Sequence, residues 1–174
     1  HRQIIRKRAE ARDIQVHPVT HLHFVEVEEP DMHDPSGDFR RLCASLRAQW
    51  PDWGIADDVA CDLPVLQQLQ KALRDGAWKV TVAVREGDRV IGVWPGFKDK
   101  IFGLAVDIGS TTMSAHLCDL ATGKVLSSAG TMNPQIRFGE DLMSRVSYVM
   151  MNPGGDADMT KVVRDAINYL ATQT

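Results

Sequence analysis

The run Ile101-Phe102-Gly103-Leu104-Ala105-Val106, closed by Asp107 and followed by Ile108-Gly109-Ser110-Thr111-Thr112, constrains this chain more than any other stretch. Consecutive residues without a polar side chain predict a strand buried on both faces, since a half-exposed strand alternates. The bend after it brings a carboxylate, a glycine and three hydroxyls together. Glycine has no Cβ, so backbone N–H groups there can approach an anion closely. The hydroxyls of Ser110, Thr111 and Thr112 add donors for phosphate oxygens. Phosphate would repel Asp107, whose place in such a site is to hold Mg2+ through water, because Mg2+ keeps most of its hydration shell. The alternative is a tight polar turn with no ligand, since short motifs of this kind often arise by chance. Neither a P-loop lysine pattern nor G-x-G-x-x-G occurs, which disfavours two other common nucleotide folds.

What surrounds the bend favours the phosphate reading. Thr112 to Leu120 predicts a second strand and Lys124 to Gly130 a third. Ala121-Thr122-Gly123 joins them, with the glycine where a positive φ is wanted. Two helices follow. The first is expected to start near Gly139, with Glu140 and Asp141 in its opening turn to complement the macrodipole, and to present Leu142, Val146, Val149 and Met150 as one face. The second, capped near Asp158 or Thr160, aligns Val162, Val163, Ala166, Ile167 and Leu170.

From Val19 to about Lys98 the pattern is that of a compact α+β unit. His21 to Glu28 is rich in β-branched and aromatic residues and reads as a strand. Asp34 is placed to cap a helix with Pro35 at its first position. Phe39, Leu42, Cys43, Leu46 and Trp50 then form one apolar helical stripe. A second helix from Leu63 to Asp75 is expected to bury Leu66, Leu69 and Leu73 and to stop at Gly76 in a left-handed cap. Trp78 to Arg85 and Val90 to Trp94, joined through Glu86-Gly87-Asp88-Arg89, predict a β-hairpin with both tryptophans on its buried side. The order β-α-α-β-β describes a small sheet with helices on one face. Pro95 to Lys100 breaks the pattern and marks a boundary.

Charge and cysteine content narrow the functional classes. The net charge of −3 over 174 residues argues against nucleic acid as a partner, because the phosphate backbone selects a strongly basic face. No apolar run is long enough to span a bilayer. His1 stands where an initiator methionine would, and no signal-type segment follows it. The expectation is a piece of a longer cytoplasmic protein. Arg2, Arg6, Lys7, Arg8 and Arg12 against a single Glu10 make residues 1–12 basic, and 1–17 reads as a linker. Cys43, Cys61 and Cys118 are too widely spaced for a disulfide framework or a thiolate metal site, and each is expected to be buried. His21 and His23 share one face of their strand; packed histidines are favoured over a metal pair completed by His17 or His33. Trp50 and Trp53, on either side of Pro51, suggest a small exposed aromatic patch.

The residues Gly103-Leu-Ala-Val-Asp107-Ile-Gly109-Ser-Thr-Thr112, with Asp119-Leu-Ala-Thr-Gly123 after them, resemble the first phosphate motif of the acetate and sugar kinase, Hsc70 and actin superfamily. Asn133-Pro-Gln-Ile-Arg-Phe-Gly-Glu-Asp-Leu-Met-Ser-Arg145 is similar to a narrower group, the reductive activators of corrinoid-dependent methyltransferases. That resemblance implies an α/β chain in three parts. Residues 1–17 would be the linker, 18–98 an α+β middle domain, and 99–174 the opening β-β-β-α unit of an actin-like, ribonuclease-H-type ATPase domain. It implies ATP and Mg2+ as cofactors of the full-length protein, with Asp107 carrying Mg2+ water and Gly109, Ser110, Thr111 and Thr112 cradling the terminal phosphates. A [2Fe–2S] cluster would sit on an upstream ferredoxin domain whose cysteines this chain lacks. The implied reaction returns Co(II) corrinoid to Co(I), with a corrinoid protein or methyltransferase as partner and a homodimer as assembly. Asn133, Gly139, Glu140 and Asp141 match the family stretch but have no role beyond turn and helix start. The second phosphate strand pair, the adenine region and any group to position water are missing, so little ATPase activity is expected of this piece alone. Two other functions compete: a protein-interaction or dimerisation module without nucleotide activity, and a small-molecule kinase sharing only the hairpin.

Overall fold

A computed structural model describes residues 15–174, so the basic lead-in at 1–14 lies outside the described residues. The chain is mixed α/β and divides into two compact units, residues 16–101 and 102–174.

In the first unit β1 (Thr20–Glu26), α1 (Asp38–Gln49), β2 (Ala60–Cys61), α2 (Leu63–Asp75), β3 (Lys79–Arg85) and β4 (Arg89–Pro95) build a sheet of order β1-β3-β4-β2 with two helices. β2 is too short to show a period of two in the sequence; it pairs parallel to β4, while β1, β3 and β4 run antiparallel. The α1 stripe packs as expected. Leu42, Cys43 and Leu46 are buried against Val25, Val80, Val82, Val84 and Val90, with Phe39 and Trp50 at the margin.

Four local expectations fail for identifiable reasons. α1 begins at Asp38, not after Asp34. Asp34 instead accepts from the Ser36 N–H and pairs with the buried Arg41, and these contacts hold its carboxyl below the usual carboxylate range, the Ser36 hydrogen bonds acting most. On α2, Leu66 is exposed and Val65, Leu69, Ala72 and Leu73 form the inner face. Gly76 closes α2 at φ −86°, and the left-handed conformations fall on Ala77 and Trp78. Glycine is needed at 76 for space, because a Cβ there would overlap the Lys79 carbonyl oxygen. Trp94 lies on the face away from the core: Val82 pairs Val93 and Thr81 pairs Trp94, so alternation puts Trp94 with Thr81, opposite the valines. There its ring covers Gly92. The hairpin turn is as the sequence predicts, with Glu86 and Gly87 both at positive φ.

In the second unit β5 (Phe102–Ile108), β6 (Thr112–Asp119) and β7 (Val125–Met132) form an antiparallel sheet of order β5-β6-β7. A 3-10 turn (Pro134–Arg137), α3 (Leu142–Met151) and α4 (Gly155–Gln173) follow. Met113 and Ala115 of β6 are buried with Leu170 of α4, and Val106, Ala129, Val163, Ala166 and Ile167 pack around them. α4 starts ahead of the expected caps, at Gly155, after a left-handed Gly154.

The apolar run of β5 is not buried on both faces. It is an edge strand, with Phe102, Leu104 and Ile108 exposed. α3 begins at Leu142 behind an Asp141 capping box, so Glu140 and Asp141 precede the helix rather than open it. Most of its expected inner face is also exposed: Leu142, Val146 and Met150 face outward, Met150 at 81%, while Val149 is half-buried and the buried residue of α3 is Arg145. Neither departure is visible in hydropathy, which records a side chain's character and not whether a neighbour covers it.

Candidate functional site

Asp107 stands next to the end of β5, paired in register with Ser114, and its side chain is exposed. Ile108 pairs with Met113, so the chain must reverse through Gly109, Ser110, Thr111 and Thr112. The Gly109 N–H donates to the Thr112 carbonyl at 2.9 Å and closes the bend. A Cβ on residue 109 would lie 2.8 Å from that same oxygen, closer than real Cβ contacts come. Glycine is therefore required here by close approach. Ser110 and Thr111 are exposed at the tip, and Thr112 is half-buried where β6 begins. The structure thus brings the five sequence-predicted residues, Asp107 and Gly109 to Thr112, into one accessible turn.

Two residues that the sequence left without a role hold this turn from behind. Asn133 is 1% exposed and Arg145 6%. Asn133 Nδ2 donates to the Gly109 carbonyl at 2.8 Å, and the Asn133 backbone N–H donates to the Thr111 carbonyl at 2.8 Å. Its Oδ1 accepts from the Gln135 N–H at 2.9 Å, capping the 3-10 turn. Arg145 Nη2 donates to the Ser110 carbonyl at 2.6 Å, and its Nε donates to the Gly139 carbonyl at 2.9 Å. The carbonyls of Gly109, Ser110 and Thr111 are all engaged. Asp141 fixes the start of α3 and so the place of Arg145: its Oδ1 accepts from the Ser144 N–H at 2.7 Å, while Ser144 Oγ accepts from the Asp141 N–H at 3.2 Å. Those hydrogen bonds hold the Asp141 carboxyl below its usual range. One sequence signal pointed this way: a lone charged residue, Arg145, in the segment that forms α3, within the same stretch as an Asn-Pro helix start.

Away from the bend, an open groove of about 520 Å³ runs along α4, with Thr131, Met132, Arg137, Lys161, Asp165 and Tyr169 among its lining residues. None of the five bend residues lines it. Cys43 is buried, but Cys61 and Cys118 are half-buried, short of the burial expected for all three. Burial pushes the Cys43 and Cys61 thiols up, which keeps them protonated. Among the described residues no group of three His, Cys, Asp or Glu side chains could hold a metal ion. His23 is packed, as expected, between Trp50 and Trp53, with ring centroids 4.9 and 5.0 Å away, and its Nδ1 is buried without a hydrogen-bond partner. Of the two tryptophans only Trp53 is exposed; Trp50 is half-buried against the margin of the core. No helix of the described residues is long and apolar enough to cross a membrane.

The fold and the bend define a mixed α/β chain whose second unit is built around an anchored strand-turn-strand. Residues 9–100 match the RACo linker region and residues 102–174 the RACo middle region. The chain belongs to the RACo family. The linker region of the family thus covers the first unit, expected as the middle domain, and its middle region covers the second, expected as the opening of the ATPase domain. The chain is 33% identical over 89 residues to a corrinoid activation enzyme, RamQ, of Eubacterium limosum, a match covering 50% of this chain and 15% of that protein. A solved structure of a reductive activator for corrinoid, iron–sulfur protein matches with a TM-score of 0.69 and 33% identity, over 94% of this chain and 26% of the other. The chain therefore spans about a quarter of the solved relative and less of the curated one.

Proposed function

We propose that this chain is part of an ATP-dependent activator that returns the cobalt of a corrinoid protein from Co(II) to Co(I), and that its bend at Gly109–Thr112 meets the terminal phosphates of the nucleotide. The observation that carries this reading is the bend itself: an exposed carboxylate at Asp107 beside a glycine-dependent turn whose carbonyls are all engaged on one side. The residues present fit a magnesium nucleotide. Gly109 lets the backbone come close, Ser110 and Thr111 offer exposed hydroxyls, and Asp107 offers a carboxylate that holds a hydrated Mg2+ without touching phosphate. When bound, the metal neutralises phosphate charge. This chain's own share is to orient the phosphates through amide donors held in place before the ligand arrives, with exposed hydroxyls beside them.

The residues present do not fit an iron–sulfur cluster. The three cysteines are far apart in sequence, burial keeps Cys43 and Cys61 protonated, and no metal-ligating group of three forms among the described residues. A [2Fe–2S] cluster belongs on this reading to another part of the protein.

The names of the two relatives, one an activation enzyme and the other an activator for a corrinoid, iron–sulfur protein, support a corrinoid protein as the partner. The test is a spectroscopic assay of the full reading frame, supplied with reductant and a Co(II) corrinoid protein. Appearance of the Co(I) absorption only with Mg-ATP, and its loss in Asp107→Asn, is the expected result. Co(I) formation independent of ATP counts against it.

The exposed apolar side chains of α3 favour a second reading, a protein-interaction or dimerisation module. A solution mass of twice the monomer, lost on Met150→Glu, is the result that would favour it.

A further inference from the structure

The peptide bonds of the described bend are trans, so the C=O and N–H of each planar unit point in opposite directions. Asn133 draws the Gly109 oxygen toward itself and Arg145 draws the Ser110 oxygen. The N–H groups of Ser110 and Thr111, carried by those same two planes, are turned away from Asn133 and Arg145. Were either plane to flip, a carbonyl oxygen would face the anion in place of a donor.

We propose that Asn133 and Arg145 are positioning residues for phosphate: they fix the two peptide planes of the bend so that the Ser110 and Thr111 amides are presented to the ligand. The inference rests on the phosphate-binding reading and deepens it by naming what sets the bend's orientation. Arginine suits the task because its planar fork reaches two carbonyls at once, Ser110 from Nη2 and Gly139 from Nε. A lysine keeps the charge but is a point donor and cannot bridge both. Because Arg145 lies in the first turns of α3, the orientation of the bend is tied to that helix.

The experiment is isothermal titration of Mg-ATP, and separately of AMP, which lacks the terminal phosphates, into the full reading frame and its Arg145→Ala, Arg145→Lys and Asn133→Asp variants. Asn133→Asp keeps the shape of the side chain and its acceptor for Gln135 but loses the donor to Gly109. Each variant is expected to bind Mg-ATP at least about tenfold more weakly, the size of leaving one buried hydrogen-bond partner unsatisfied, with AMP affinity unchanged. Added guanidinium is expected to restore part of the loss in Arg145→Ala. A merely structural role lowers the melting temperature and leaves the ratio of Mg-ATP to AMP affinity as in the wild type, and that result overturns the proposal. Should Arg145→Ala fail to fold, Asn133→Asp alone decides by the same ratio. Wild type that binds no Mg-ATP defeats the phosphate reading itself; wild type and variants that bind equally defeat only the positioning role.

Discussion

Asn133 and Gly109 lie 24 positions apart and are joined by a 2.8 Å hydrogen bond from the buried Nδ2 to the carbonyl oxygen of the bend. With Arg145 on the neighbouring carbonyl, the turn is held by groups that arrive after all three strands of the unit. The bend is a tertiary feature and not a local one, and the predictions below follow from that and from the packing of each unit.

Two glycines of the first unit separate rigid from yielding neighbours. At Gly76 a Cβ would strike backbone, the Lys79 carbonyl oxygen. At Gly92 it would strike the ring of Trp94, the far end of a partly exposed side chain. Gly76→Ala is expected to lower unfolding free energy by about 2 kcal/mol or more, within the range for overpacking. Gly92→Ala is expected to cost less, because the indole can swing outward. Urea denaturation followed by tryptophan fluorescence measures both, and a larger loss for Gly92→Ala would contradict the packing described.

The first unit should lose stability in mild acid. Burial lowers the pKa of His23, and the neighbouring His21 charge lowers it further. With the folded value below the unfolded one, the unfolded chain binds the extra proton first. Stability is then full above the unfolded value, near 6.5, and falls as pH drops from there toward the lowered folded value. Melting curves of the wild type between pH 7.5 and 5.5 should show this slope, and His23→Phe should flatten it. An unchanged slope in the variant would remove His23 as its source.

The α3 surface should tolerate charge. Leu142 and Met150 are exposed, so Leu142→Glu and Met150→Glu are expected to change the stability of the unit by no more than about 0.5 kcal/mol, the usual range for surface positions. Chemical denaturation checks this, and a loss of several kcal/mol would show that α3 is packed differently.

The 174-residue chain alone should bind Mg-ATP no more tightly than roughly 100 μM, because one phosphate hairpin supplies only part of a nucleotide site. Titration calorimetry on this chain gives the answer directly. A tighter constant would mean that these residues hold more of the site than the hairpin.

What the sequence revealed and what it hid divide along one line. α2 was legible from Leu63 to Asp75 because a proline near its start and a glycine after its end punctuate it locally. The β3–β4 hairpin was legible through Glu86-Gly87, and the five residues of the bend through glycine and hydroxyl chemistry. Burial was not legible wherever it depends on a neighbour. Phe102, Leu104 and Ile108 look like core and lie on an edge strand; Trp94 has the bulk of a core residue, but pairing with Thr81 puts it on the other face. Arg145, the residue buried on α3, reads from hydropathy as solvent-facing. Its carbonyl partners are Gly139 and Ser110, and no periodicity in the sequence connects residues 110 and 145.

The most direct measurement is titration of Mg-ATP into the full reading frame and into its Gly109→Val variant, whose added side chain would displace the Thr112 carbonyl that closes the bend. Binding by the wild type and none by the variant, with circular dichroism unchanged, is the predicted result. Equal affinity in the two proteins would place the nucleotide elsewhere and remove the bend from its recognition.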